Sequence, residues 1–322
     1  MGPQTAHCGH LLRQCCGRGE QKERNDGMTL IRSLSLALKA AALTLTASVA
    51  SAQEVRPWMP SEIGQAWSLG FKGQNTTITV IDDFNSTQTY GGNLRGTTER
   101  LRHGEWTALE AQLMAPSATV RTQDFTNTRA VTLQKGLNTL NLSYGMVAKA
   151  GYSTIGWSAR ETSIIAYARD GKAVVVKAAG NDGVAVGSAN ASGNMDYLNR
   201  DLIGKQSAIF VGALSAHGSV DRPASLASYS NTAGNNATVQ NQFLVVGVTG
   251  NTTGLYGTSF AAPIVSGYSA VLGSKFTNAT PTQITNQLLN TARKDTIKDY
   301  SAALHGRGEA SIARALAPVA IK

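Results

Sequence analysis

The chain has 322 residues, of which 42% are hydrophobic and 15% charged, with a formal net charge of +9 at pH 7. Without the first 52 residues, Lys plus Arg falls from 29 to 23 and Asp plus Glu from 20 to 17, so the remaining 270 residues carry +6; this mild basicity, with no Lys/Arg cluster interleaved with aromatics, argues against nucleic-acid binding. All three cysteines (Cys8, Cys15 and Cys16) precede residue 28, so no disulfide staples the rest, and one large domain must be held by its own core.

In chain order, residues 1–27 also carry His7 and His10, but their spacing with the cysteines fits no zinc pattern, and the segment is read as a leader from a misassigned start, with Met28 as the true one. Residues 28–52 read as a secretory signal: Arg32 and Lys39 in a basic region, an apolar run from Ala40 to Val49, then Ala50-Ser51-Ala52. That run is too short to span a bilayer, so the expectation is a secreted or periplasmic protein without a stable membrane anchor, beginning at Gln53. Beyond it, β-branched runs alternate with helical stretches, the signature of a parallel sheet flanked by helices. The expected strands are Thr76 to Ile81, Ala118 to Thr122, Asn138 to Leu142, Ala173 to Ala178, Ala208 to Ala213 and Phe243 to Val248. Helices are expected over His103 to Ala115, Ser158 to Ala168, Ser259 to Leu272, Pro281 to Thr291 and Glu309 to Leu316. Gly183 to Asn199, rich in Gly, Ser and Asn, reads as a surface loop.

Chemistry concentrates in Gly257-Thr258-Ser259-Phe260-Ala261-Ala262-Pro263, where one serine lies between a glycine turn and the start of a small-residue helix. A serine hydroxyl needs a base to take its proton, and the base needs an acid to orient it. Asp82 ends an apolar strand, the place where open α/β sheets bind ligands; its plain alternative is a strand-ending turn residue. Three histidines follow residue 52, namely His103, His217 and His305, and each precedes a glycine, so the dipeptide does not choose among them. His217 sits in a polar stretch and is expected to be exposed. An isolated Gly-Thr-Ser could also merely cap a helix.

These residues resemble the subtilase family, the subtilisin-like serine peptidases. The Ser259 segment matches the family's Gly-Thr-Ser-x-Ala-x-Pro pattern, and the order acid, base, serine is that of its triad. Leu142-Ser143-Tyr144-Gly145 is similar to its substrate-lining strand, and Val174 to Asn181 to its strand ending in the oxyanion asparagine. His103 is preferred because Ala115-Pro116-Ser117-Ala118 resembles the segment after the family's histidine helix. Gly306-Arg307-Gly308 with Ala310 and Ala313 is similar to the closing turn and helix, so the likeness runs from about residue 65 to 317.

The resemblance implies a subtilisin-like three-layer α/β domain over residues 53–322 with a mostly parallel sheet. It also implies an endopeptidase acting on peptides or proteins through Asp82, His103 and Ser259, an oxyanion donor at Asn181 and a substrate wall at Ser143, Tyr144 and Gly145. No metal ligand or required cofactor is expected; family members often hold structural calcium, but no acidic run places one here. Asp83 and Phe84 depart from the family after Asp82, as do Glu105, Trp106 and Leu109 after His103. Those departures support a rival, a subtilase-fold binding protein without useful proteolysis; an esterase with the same triad is a second rival. Only 29 residues separate Gln53 from Asp82, so no folded pro-segment is expected between them.

Overall fold

A computed structural model describes residues 5–7 and 54–321. The proposed signal segment 28–52 and the three cysteines lie outside the described residues. Six strands form the central sheet: β1 (Thr76–Asp82), β2 (Thr119–Asp124), β3 (Leu137–Leu142), β4 (Val174–Ala178), β5 (Ala208–Leu214) and β6 (Phe243–Gly247). Their order is β6-β5-β4-β3-β1-β2, and every pairing is parallel. All six expected strands are present, within one or two residues at each end.

The strands' composition follows from their place. β1, β4, β5 and β6 are buried throughout, as runs such as Val174-Val175-Val176 require when helices cover both faces. β2 is an edge strand and carries Arg121 and Gln123 on a partly exposed surface. Because side chains alternate, Val174, Val176 and Ala178 enter one core, whereas Val175 and Ala179 enter the other.

The helices around the sheet include α1 (Glu62–Ser68), α2 (His103–Met114), α3 (Ala159–Arg169), α4 (Tyr197–Leu202), α5 (Ala262–Lys275), α6 (Pro281–Asn290) and α7 (Ile312–Leu316). α2, α5 and α6 pack on the first face, α3 and α4 on the second. α5 is buried from Ala262 to Gly273, which its small and apolar residues allow on every side.

Three local expectations change. The helix expected from Ser259 is a 3₁₀ turn, Thr258–Phe260, followed by α5 from Ala262 with Pro263 in its first turn. The helix expected from Glu309 begins at Ile312, with Ser311 capping the Arg314 amide. The expected surface loop 183–199 is partly built structure: Asn194–Asp196 pairs antiparallel with Val147–Lys149, and α4 begins at Tyr197. Tyr197 and Leu198 are fully buried, and their packing decided against a loop that Gly, Ser and Asn content suggested.

The topology locates a crevice. From β1 the chain steps to the edge strand β2, then returns across β1 to β3 and continues outward, so the direction of winding reverses beside β1. Ligands of open α/β sheets bind outside the carboxyl ends of strands at such a point. Asp82 ends β1 and Ser143 follows β3 there.

Candidate active site

Asp82 is fully buried, and its two oxygens are committed. Oδ1 lies 2.7 Å from His103 Nδ1 and accepts from the Asp83 amide at 2.7 Å; Oδ2 accepts from Thr107 Oγ1 at 3.1 Å. An ionised carboxylate only accepts, so Nδ1 carries the proton and Nε2 is left as the basic nitrogen. Burial pulls the imidazole pKa down, but the charge and hydrogen bond of Asp82, joined by the charge of Asp83, outweigh it and hold the ring above its ordinary 6.5.

His103 opens α2, whose first turn is closed by Glu105: its Oε2 accepts from the Arg102 amide at 2.8 Å and its Oε1 pairs with the Arg102 guanidinium at 2.7 Å. Gly104 is required by close approach, since a Cβ there would lie 2.7 Å from the Asp83 carbonyl and 2.9 Å from the Phe84 ring. The family departures are thus accommodated. Asp83 Oδ1 accepts from the Ser86 amide at 3.0 Å, and the Phe84 amide donates to Asp124 Oδ2 at 2.7 Å. Trp106 is buried, with its indole N–H on the Tyr90 carbonyl at 2.9 Å.

Ser259 occupies the 3₁₀ turn ahead of α5, across the crevice from α2; the ring of its neighbour Phe260 lies 5.6 Å from that of His103. Its Oγ donates to the Ser143 carbonyl at 3.1 Å, while Ser143 Oγ donates to the Ser259 carbonyl at 2.8 Å. Beneath this reciprocal pair runs a buried polar chain, with Asn141 Nδ2 on Ser143 Oγ at 3.0 Å and Ser266 Oγ on Asn141 Oδ1 at 2.9 Å. Asn141 and Ser266 were not singled out from the sequence; Asn141 is one of three polar residues in β3, with Asn138 and Thr139, and nothing local marked it out. The structure therefore brings Asp82 and His103 into direct contact and sets Ser259 near them, with its hydroxyl turned to Ser143 and not to the imidazole.

Asn181 joins Ser259 at one pocket of about 300 Å³, whose wall includes Ser143, Tyr144 and Gly145. Asn181 Oδ1 accepts from the Thr258 amide at 2.8 Å and from Thr258 Oγ1 at 3.1 Å, which defines which edge of its amide is which. Tyr144 places its hydroxyl 3.3 Å from Glu161 Oε1; burial, then that carboxylate, push the phenol well above its ordinary range. The other two histidines lie elsewhere. His217, expected to be exposed, is partly buried and donates through Nε2 to the Trp58 carbonyl at 2.8 Å, and His305 is buried against Tyr300. No group of three or more His, Cys, Asp or Glu suited to a metal ion occurs among the described residues.

A wholly parallel sheet with helices on both faces and a polar crevice at its winding reversal is the architecture of subtilisin-like α/β proteins. The subtilase-family pattern matches residues 96–308, and the chain belongs to that family. His103, Asn181 and Ser259 fall inside the match, whereas Asp82 precedes it. Among solved structures, the prenylagaramide maturation protease PagA is similar at 18% identity, over 80% of this chain and 98% of that one, with a TM-score of 0.50. The MycP3 protease from the type VII (ESX-3) secretion system is similar at 19% identity, over 81% and 89%, also with a TM-score of 0.50. These likenesses are of fold. No curated protein matches the chain.

Proposed function

We propose that this chain is a serine endopeptidase that cleaves peptide bonds through an acyl-enzyme. The observation that carries the reading is the 2.7 Å contact between fully buried Asp82 and His103 Nδ1, beside a family-pattern serine. Ser259 Oγ, rotated from the Ser143 carbonyl, attacks the scissile carbonyl carbon as its proton passes to His103 Nε2; the carbonyl π pair moves to oxygen. Asp82 holds the tautomer and stabilises the imidazolium. Asn181 Nδ2 donates to the new oxyanion, acting on charge that exists only in the transition state. Collapse breaks the C–N bond and His103 returns its proton to the leaving amine. A water then attacks the acyl-enzyme, gives its proton to His103, and the ester bond breaks as that proton returns to Ser259.

Ser259, His103 and a water carry every proton in this scheme, so no cofactor is assigned to it; structural calcium stays a separate question, testable by melting with and without chelator. Export through residues 28–52 belongs to the same proposal, and no helix among the described residues is long and apolar enough to cross a membrane. The Ser259 to Ser143 hydrogen bond favours one rival, a subtilase-fold binding protein whose serine is not engaged by its histidine. Incubation with a fluorophosphonate probe and mapping of the labelled residue separates the two: labelling at Ser259 supports the peptidase, and a protein that neither labels nor cleaves peptides is the binding protein.

A further inference from the structure

The pocket beside Ser259 has an unusual floor. Lys177 lies on β4 and points to the same face as Val175 and Ala179, where alternation calls for an apolar residue. Only 1% of it is exposed, and its Nζ sits 3.0 Å from Asp196 Oδ2 and donates to the Ala178 carbonyl at 2.7 Å. An ammonium has three N–H donors, so one is left without a protein partner. Asp196 is held in place by its other oxygen, which accepts from the amides of Met146 and Leu198 at 3.0 Å each. Its Oδ2 rests against Gly145, where a Cβ would come within 3.1 Å.

Asn199, from the first turn of α4, completes the floor. It is 1% exposed, its Nδ2 donates to the Ala179 carbonyl at 2.9 Å, and its Oδ1 has no hydrogen-bond partner. The Ala179 carbonyl can only accept, so the amide's orientation is determined and the unpartnered atom is an acceptor. Lys177, Asp196 and Asn199 all line the pocket shared by Ser259 and Asn181. The residue whose carbonyl meets Ser259 and Asn181 places its side chain there.

We propose that this pocket selects a carboxamide side chain, glutamine or asparagine, at the residue on the amino side of the cleaved bond. The inference rests on the peptidase reading above. The carboxamide oxygen accepts the remaining N–H of Lys177, and its NH2 group donates to Asn199 Oδ1, so one neutral group satisfies one donor and one acceptor. A carboxylate serves only Lys177 and brings a negative charge toward Asp196 and Asp182. A lysine or arginine meets the positive charge of Lys177. An apolar side chain supplies none of the hydrogen bonds these buried groups lack.

The test uses the wild-type protein and five peptides identical except for Gln, Asn, Glu, Lys or Leu before the scissile bond, with fluorophosphonate labelling of Ser259 run in parallel. Gln or Asn should exceed Glu, Lys and Leu in kcat/KM by about tenfold or more. Equal or better cleavage after Leu, Glu or Lys, with Ser259 labelled, overturns the pocket assignment alone. Absence of both labelling and cleavage overturns the peptidase reading, and this inference with it. In Lys177→Met, checked for native fold by circular dichroism, Asp196 loses its cation and preference should move to Lys. A folded variant that still prefers Gln or Asn to the same degree overturns the role given to Lys177.

Discussion

The corner that holds Asp82 and His103 and the floor that holds Lys177, Asp196 and Asn199 are both buried and both polar, yet their hydrogen bonds are used differently. At the corner every carboxylate oxygen of Asp82 is occupied, by Nδ1 of His103, the Asp83 amide and Thr107. At the floor a donor and an acceptor stay open, on Lys177 and on Asn199 Oδ1. A saturated network holds one geometry, as proton transfer requires; an unsaturated one is completed by whatever ligand supplies the missing partners. On the proposed function, reaction and selectivity would thereby rest on different strands of one sheet, β1 and β4.

The largest break in this comparison should come from the reacting groups. Ser259→Ala is expected to abolish probe labelling and lower peptide turnover by at least about 10⁴-fold with the fold retained, and His103→Ala should be nearly as damaging because the members of such a unit do not act additively. Single-turnover kinetics on both variants check this; substantial activity in Ser259→Ala would remove the nucleophile assignment. If His217→Ala were the damaging change and His103→Ala harmless, the base would be misassigned.

Asn181→Ala should reduce kcat by roughly 10²- to 10³-fold while KM changes little, because in the proposed mechanism its amide donates to an oxyanion that bound substrate does not yet carry. A variant that chiefly raises KM would make Asn181 a ground-state contact, closer in kind to the pocket floor.

A smaller effect concerns pH. The His103 pKa lies above 6.5 because the Asp82 and Asp83 carboxylates outweigh burial, so the base is protonated and idle at low pH, and kcat/KM should rise with pH through a midpoint above 6.5. Asp83→Asn removes one of the raising charges and should move that midpoint downward by a few tenths of a unit, about the size of one screened charge at this range. An unmoved or rising midpoint in the pH–rate profile would contradict the electrostatic assignment.

The smallest expected effect lies beneath the corner, at Glu110 of α2. This residue is 3% exposed, one of its oxygens has no partner, and burial raises its pKa well above 4.5. The folded protein therefore binds this proton more tightly than the unfolded chain does. Its contribution to stability is full below pH 4.5 and is lost as pH rises toward the folded-state pKa. Glu110→Gln cannot ionise and should gain on wild type as pH rises from 4 to 8, by about 2–4 °C in Tm per kcal/mol of difference. Calorimetric scans showing a pH-independent difference would mean that the Glu110 proton is not linked to folding.

Much of this molecule was legible in one dimension. The six strands follow from β-branched runs, because a strand buried on both faces needs apolar residues at consecutive positions. The Gly-Thr-Ser-x-Ala-x-Pro segment singled out Ser259 as the candidate nucleophile by its likeness to the subtilase pattern, and the structure places it in a tight turn ahead of a packed helix. The pairing of Asp82 with His103 was anticipated: the His-Gly dipeptide alone did not choose among three, the segment after α2 favoured His103, and packing placed its ring against the strand-end carboxylate. Asn141 and Ser266 escaped notice, since a serine in a helix and an asparagine in a strand carry no local sign that they meet. Part of the pocket floor was misread: Gly183 to Asn199 has a loop's composition, but its last residues pair with Val147–Lys149 and begin α4. Local patterns determine which residues make strands and helices, because those depend on near neighbours. Which polar groups share a low-dielectric space depends on segments far apart in sequence: Lys177 and Asp196 became partners only when the sheet brought β4 beside the start of α4.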